Sequence, residues 1–337
     1  MRSRKRVTIR EVACRAGVST ATVSRVMNQS GFVSEELTQR VLRAMQELQY
    51  FPNRLARSLK KQESFTVAYL VPDIDNPIFA KVVRGIQDVM EEVSYDVFIY
   101  NTRFSDIKLS KHLASLLENH PRGIIISAWH SERVKEAVSF LQSIGIPTVI
   151  VHSPRDIPGV DAILVDDVQG GYEATRYLLS IGHQRILSLG VVRSTTSMLR
   201  EEGYRKAMEE AGNSSEHLIL KAPSFSPRDG YAIVRAFLDK GIPITAIFAH
   251  SDSLALGALE AVHERGLAIP QDISIMGFDG AYASFTVPRL TTMLIPNYEM
   301  GKKAAMLLLS RIQGTSSVPS QELFAPTLFV QASTKPL

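Results

Sequence analysis

The side chains best suited to chemistry near the start of the chain lie in one short segment. Most carry a hydroxyl or are small, and one carries a guanidinium: Ser19, Thr20, Ala21, Thr22, Ser24 and Arg25. Hydroxyls bind phosphate oxygens, and an arginine can donate two hydrogen bonds to O6 and N7 of guanine. Small residues let bases approach closely. The segment therefore predicts contact with DNA.

Two predicted helices would position this segment. Thr8 and Glu11 have the spacing of a capping box, and Gly17 is placed to end the helix that follows. Ser19 can cap a second helix over Thr20–Met27. The inner faces of the two helices are predicted from apolar spacing as Ile9, Val12, Ala13, Ala16, Val23, Val26 and Met27. Two helices joined by a short glycine-containing turn are typical of a helix-turn-helix motif.

A third helix is predicted after Ser34, which can cap it. Its apolar stripe is predicted to contain Val41, Leu42, Met45 and Leu48. The alternative is a generic three-helix bundle in which Arg25 only lies on a solvated face.

Charge is distributed unevenly along the chain. Residues 1–63 contain 13 Lys and Arg against 5 Asp and Glu, whereas the rest contains 25 against 29. A basic head on a mildly acidic body indicates nucleic-acid binding. A basic tail that only aids solubility is the alternative.

Residues 52–63 form a basic segment of their own. Pro52 ends the third helix, and Asn53 can cap a new one of about two turns, too short to be stable alone. From the residues alone this segment is a basic linker, with Leu59 an ordinary packing residue.

The remaining residues, 64–337, alternate short apolar runs with amphipathic stretches, which predicts parallel sheets covered by helices. The run is too long for one sheet and breaks near Asp166-Asp167. We expect a head (1–51), a hinge (52–63) and an α/β body of two doubly wound lobes. The first lobe would comprise 64–166 and 296–322, and the second 167–295 and 323–337. Ligands of such sheets bind at the carboxyl ends of the strands.

Three strings in the head and hinge carry a family resemblance: Val7–Asn28, Val33–Glu36 and Tyr50–Asn53. They resemble the LacI/GalR family of repressors, and the likeness continues along nearly the whole chain. The resemblance implies a homodimer on pseudo-palindromic operator DNA, with further DNA contacts at Thr8 and Asn28. It implies that two hinge helices pair in the minor groove, where Leu59 inserts as a wedge beside Asn53, Ala56 and Lys60.

The resemblance also implies a body like periplasmic sugar-binding proteins, with an effector between its lobes. The implied contacts are Phe79, Asp166, Thr196, Arg200, Phe225, Ser251 and Asp279, with Trp129 a marginal addition. Arg200 and Asp279 could bind vicinal hydroxyls, which favours a sugar. A purine is disfavoured because Ser194 stands where one nucleobase-binding member has arginine. Asp252 is expected to cap a helix, and Val330–Thr334 to form a closing strand.

The chain lacks the motifs on which other functional classes depend. The chain contains no GxxxxGK[ST] loop, GxGxxG string or GxSxG elbow, and its eight histidines show no metal-binding spacing. We therefore expect neither an enzyme nor a metal or cofactor protein. The single cysteine, Cys14, is expected to be structural.

Location and assembly complete the sequence predictions. The basic start lacks the apolar region of a secretory signal, which predicts a cytoplasmic protein. No heptads follow the last predicted strand, which favours a dimer over a tetramer. The alternatives left open are a sugar-binding transport protein and a catabolite-control regulator triggered by a phosphorylated carrier protein.

Overall fold

The structure is a computed structural model that describes residues 7–28, 30–50, 64–127, 132–152, 157, 159–213, 218–315 and 318–337. The chain divides into two compact units, Met1–Glu63 and Ser64–Leu337. The first contains the head, and the second is the body.

The described part of the head contains α1 (Ile9–Ala16), α2 (Thr20–Asn28) and α3 (Glu35–Glu47). Their shared core consists of Val12, Ala13, Ala16, Val23, Val41 and Ala44. The prediction for Leu42 was wrong, because that side chain is 46% exposed while Ala44 is buried. The helix turns Ala44 rather than Leu42 towards α1, and the sequence spacing permits either choice.

The body begins with the first lobe, in which strands and helices alternate. Its elements are β1 (Thr66–Val71), α4 (Pro77–Glu92), β2 (Asp96–Asn101), α5 (Asp106–Glu118), β3 (Gly123–Ser127), α6 (Glu132–Ser143), β4 (Thr148–Val151) and β5 (Asp161–Val165). β3, β4 and β5 are buried along their whole length, which explains why they are almost entirely apolar.

The second lobe repeats this alternation. Its elements are α7 (Asp167–Ser180), β6 (Ile186–Val191), α8 (Thr195–Glu210), β7 (Leu218–Ala222), α9 (Pro227–Leu238), β8 (Ala246–Ala249), α10 (Asp252–Glu264), β9 (Ser274–Asp279) and β10 (Thr291–Leu294). Three elements then complete both lobes: α11 (Asn297–Ile312), β11 (Gln321–Phe324) and β12 (Thr327–Phe329).

Each lobe contains one six-stranded sheet. The strand orders are β11-β5-β4-β3-β1-β2 and β12-β10-β9-β8-β6-β7. All described pairings are parallel except that of β12 with β10. This confirms the predicted two-lobed, doubly wound fold. The strand order reverses beside β1 in the first sheet and beside β6 in the second, and such points form ligand crevices.

The chain passes between the lobes three times, after β5, after β10 and after β11. β11 pairs with β5 from Gln321 to Phe324, so the first lobe extends two residues beyond the expected boundary at 322. The closing strand was also misplaced: β12 ends at Phe329, and residues 330–334 form no strand. Ser333 instead links β10 and β9, because its hydroxyl accepts a hydrogen bond from Thr291 N and donates one to Ile275 O.

Glycines allow three pairs of body helices to touch backbone to backbone. A Cβ at Gly171 would lie 2.2 Å from the carbonyl oxygen of Arg200, and one at Gly203 2.1 Å from that of Val168. Similar contacts join α9 to α10 at Gly257 and α4 to α11 at Gly85 and Gly301. The first contact matters most here, because it holds α8, and with it Arg200, against α7.

Gly171→Ala should force α7 and α8 apart. We expect the free energy of unfolding of the body to fall by about 1–3 kcal/mol, the usual cost of overpacking. Thermal unfolding of the full chain measures this. Gln169→Ala, on the exposed side of α7, is the matched control and should change stability by less than about 0.5 kcal/mol. Equal stability of the two variants would contradict the close contact.

Candidate functional site

The helix ends of the head are capped as predicted. Thr8 N donates to Glu11 Oε2 at 2.6 Å, and Glu11 N donates to Thr8 Oγ1 at 3.4 Å, which completes the capping box. Gly17 ends α1 in the left-handed conformation, with φ 64° and ψ 39°. Ser19 Oγ accepts from Thr22 N at 3.1 Å at the start of α2. Arg40 holds the turn by donating to the carbonyl of Ala16 at 2.7 Å.

One face of α2 is turned outward. Val23 is fully buried, whereas Thr20, Ala21 and Arg25 are exposed and Thr22 and Ser24 are partly exposed. Thr8 and Ser19 are exposed at the helix starts. Hydroxyls, a methyl and a guanidinium thus share a surface that can contact phosphates and base edges.

Several predicted residues lie outside this description. Asn28 is the last residue of α2, but its side chain is outside the described residues. The hinge residues Asn53, Ala56, Leu59 and Lys60 lie outside them too, as does Trp129.

In the body, Arg200 is a buried charge with three described partners. Its Nε donates to Asp167 Oδ1 at 2.7 Å, and its Nη1 donates to the backbone carbonyl of His250. The guanidinium carbon lies 3.7 Å from the centre of the Phe278 ring. Both ionised side chains are more than nine-tenths buried. Arg200 lies in the second turn of α8, and α7 supplies its counter-charge.

Asp279 ends β9 and brings a second ionisable group close to Arg200. Its backbone has φ 99°, a strained value for a residue with a side chain, and its Oδ1 accepts from Ala281 N at 2.9 Å. Burial, together with the carboxylate of Asp252, raises the pKa of Asp279 well above its usual value, while Arg200 opposes the rise. Of the predicted effector contacts, Arg200 and Asp279 are the pair that the fold brings together.

Asp252 was expected to cap α10, and this expectation was wrong. Ser251 is the cap, since its Oγ accepts from Leu254 N at 3.1 Å. The Asp252 carboxylate turns inward instead and accepts from Thr292 Oγ1 at 2.6 Å and Tyr282 N at 2.9 Å. Burial raises its pKa to about 6. Two carboxyl groups with raised pKa values therefore lie together at the carboxyl end of the second sheet.

The other predicted effector contacts make local interactions. Asp166 caps α7 by accepting from Gln169 N at 3.2 Å, and Thr196 Oγ1 lies 3.0 Å from Ser194 Oγ. Phe225 packs partly exposed against the core of the second lobe. Phe79 is 7% exposed, so it is more a core residue than an open stacking platform.

The segments that follow β1 in the first lobe and β9 in the second approach each other. Lys81 Nζ, in the second turn of α4, donates to the carbonyl of Gly280 at 3.2 Å. Arg200 also acts electrostatically on His152 of the first lobe, helping burial to lower the pKa of that histidine.

Sequence reasoning missed His152, which follows β4 directly. Its ring packs nearly perpendicular to that of Phe79 with centroids 6.0 Å apart, and its Nε2 lies 2.8 Å from Asn297 Oδ1. Its position straight after an apolar run was the available signal, the same one that points to Asp279.

His250 was missed as well. It is fully buried between two hydroxyls, with Ser188 Oγ 2.9 Å from Nε2 and Ser197 Oγ 2.8 Å from Nδ1. Burial lowers its pKa to about 3, so the ring is neutral near pH 7. This arrangement holds the end of β8 against α8 and fixes the carbonyl that binds Arg200.

The described residues contain neither a metal-binding cluster nor a membrane-spanning helix. No cluster of three or more His, Cys, Asp or Glu there is arranged to hold a metal ion. No helix in the same residues has the length and apolar character needed to cross a membrane.

Comparison with known families matches both units. The model for bacterial regulatory proteins of the lacI family matches residues 8–53. The model for a periplasmic binding protein-like domain matches residues 175–334.

Individual relatives match along nearly their whole length. The chain is 35% identical over 331 residues to the HTH-type transcriptional repressor PurR of Pasteurella multocida (strain Pm70), covering 97% of this chain and 98% of the relative. The lac repressor dimer bound to operator and the anti-inducer ONPF superposes with a TM-score of 0.86 at 27% identity, covering 98% and 100% of the two chains. The complex of the regulator CelR with cellobiose superposes with a TM-score of 0.74 at 29% identity, covering 97% and 100%.

Asp279→Asn should stabilise the body, and more so at higher pH. A carboxyl whose pKa is higher in the folded than in the unfolded state lowers stability as pH rises above the unfolded value. Its cost is therefore larger at pH 8 than at pH 5. We expect the melting temperature of the variant to exceed that of the wild type by about 2–4 °C at pH 8, the shift that ~1 kcal/mol produces in a large domain. A gain that is larger at pH 5 would contradict the assignment.

Proposed function

The chain belongs to the LacI family of bacterial regulatory proteins, and from this membership we propose that it is a cytoplasmic transcriptional repressor. In this proposal, two copies bind a pseudo-palindromic operator, and a small molecule bound between the lobes of the body sets the affinity for DNA. The proposed molecule is a sugar or a sugar derivative. One observation carries the proposal: a capped helix with an exposed Thr20, Ala21 and Arg25 is joined in one chain to a two-lobed binding domain.

The DNA part is supported by shape and charge. The outer face of α2 carries short side chains that allow close approach and one long donor, Arg25, that can reach a base edge. The excess of Lys and Arg in residues 1–63 supplies the phosphate attraction that non-specific binding requires. In this proposal Leu59 is the wedge of a paired hinge helix.

The sugar part is supported by the chemistry at the carboxyl ends of the strands. A guanidinium that donates and a carboxylate that accepts can bind neighbouring hydroxyls together. Arg200 uses Nε and one Nη1 proton on described protein partners, which leaves donors for a ligand. The relative CelR was solved with cellobiose, a ligand of this chemical class.

We propose that the effector changes the relative position of the lobes, and through it the spacing of the paired hinges. An effector can do this only if its affinity differs between the two arrangements. Such a movement would change the hydrogen bond between Lys81 and Gly280, because that bond joins the first lobe to the second.

Arg25→Ala should relax base preference at one position in each operator half-site, by about 1–3 kcal/mol. The measurement is fluorescence anisotropy with an operator selected from random duplexes and with all single-base variants of it. Arg15→Ala is the control, because it removes the same charge from another surface of the head, where Arg15 pairs with Glu47. An unchanged base preference in the Arg25 variant would show that this side chain does not contact a base.

Asp279→Asn should weaken effector binding about ten- to a hundred-fold, because the amide has one acceptor oxygen where the carboxyl group has two and a ligand hydroxyl is left unsatisfied. Calorimetry against ribose, glucose, cellobiose, adenine and guanine identifies the ligand class and measures the change. Met198→Ala, exposed on the same helix as Arg200, is the control and should bind like the wild type. Binding of a nucleobase alone would contradict the sugar assignment, and silence across the panel would contradict any ligand of these classes.

A further inference from the structure

The ring of His152 has one nitrogen in use and one without a partner. Nε2 lies 2.8 Å from Asn297 Oδ1, whereas Nδ1 is buried and makes no hydrogen bond. A buried polar atom left unsatisfied typically costs about 1–3 kcal/mol. An atom in this condition beside a ligand crevice calls for a hydrogen-bond partner from outside the chain.

The neighbouring amide determines which nitrogen carries the proton. Asn297 is itself buried, and its Nδ2 donates to the carbonyl of Ile295 at 3.3 Å. Its Oδ1 is thereby turned towards His152 and can only accept. Nε2 of His152 must therefore be the donor, and in the neutral ring Nδ1 is left as a lone pair that can only accept.

The ring is neutral at physiological pH. Burial lowers the pKa of His152 to about 4, the bond to Asn297 opposes this shift, and Arg200 adds to it. A positive charge on Nδ1 is therefore disfavoured, and the lone pair persists wherever the protein is folded and near neutral pH.

The position of His152 is that of a ligand contact on the first lobe. It follows β4, whose neighbours β3 and β5 end at Ser127 and Val165, at the same edge of the sheet. Its ring packs nearly perpendicular to the ring of Phe79, and Arg200 of the second lobe acts on it electrostatically. Because Nδ1 itself is covered, a ligand reaches it only after the groups that cover it move.

We infer that Nδ1 of His152 accepts a hydrogen bond from an O–H or N–H group of the effector, and that it selects effectors carrying no anionic group at that point. The inference rests on the proposed effector site and adds the chemical class of its ligand. A phosphate or carboxylate presents only acceptors near pH 7, and two facing lone pairs repel. An uncharged hydroxyl satisfies the nitrogen.

Two variants separate this role from a merely structural one. His152→Gln places an amide near the Nε2 position and can keep the contact with Asn297, but it removes the acceptor at Nδ1. His152→Asn places an amide oxygen near the Nδ1 position and gives up that contact. We expect the effector affinity to fall about ten-fold or more in His152→Gln and to recover most of this loss in His152→Asn.

The probes are matched pairs in calorimetry: ribose with ribose 5-phosphate, and glucose with glucose 6-phosphate. The inference predicts that an uncharged member binds the wild type. Affinity in His152→Gln within two-fold of the wild type, or binding of the phosphates alone, would overturn it. Melting temperatures within a few degrees of the wild type establish that both variants are folded.

Nitrogen NMR of the wild type at pH 7.5 tests the chemistry without any ligand. The expected result is an unprotonated Nδ1 and a protonated Nε2, with the Nδ1 resonance moving when an uncharged sugar binds. A proton on Nδ1 overturns the inference even where a sugar binds and the proposed function stands. If no probe binds, the sugar assignment fails, and the protonation of Nδ1 decides the inference alone.

Discussion

The packing of several elements of the body depends on the buried guanidinium of Arg200. Removing Arg200 from water is costly unless its charge and its donors are satisfied. The fold satisfies them from three directions: Asp167 at the start of α7, the carbonyl of His250 after β8, and the face of Phe278 in β9. These partners meet only if α7 and α8 approach backbone to backbone, which Gly171 permits. Loss of Asp167 would leave the buried charge of Arg200 without its described counter-charge, so the placement of Arg200 depends on the packing of α7 against α8.

The two lobes contribute different chemistry to their facing edges. The second lobe supplies charge, with Arg200 beside the carboxyl groups of Asp279 and Asp252. The first lobe supplies a neutral imidazole at His152. Because their pKa values are raised, these buried carboxyl groups lower the free energy of unfolding near neutral pH.

Much of the architecture could be predicted from the sequence. The capping box at Thr8, the stop at Gly17 and the two lobes are confirmed, because each depends on local spacing or on periodicity over many residues. The wrong predictions concern side chains whose position depends on residues that are distant in the sequence. Leu42 and Ala44 differ only in which side of α3 meets α1, and the choice between Ser251 and Asp252 as cap depends on Thr292 from a distant strand.

The sequence by itself determined the helix ends of the head, its positive charge, the alternation of strands and helices, and the family. These properties come from backbone preferences, apolar periodicity and charge, all of which act locally or add up along the chain. Only the tertiary structure decided which polar groups meet: Arg200 with Asp167, Asp252 with Asp279, and His152 with Asn297. The partners in these pairs are separated by 33, 27 and 145 positions in the chain. The first and third pairs are in contact at 2.7 and 2.8 Å, and the two carboxyl groups of the second pair interact electrostatically. Spacing in the sequence does not encode such contacts.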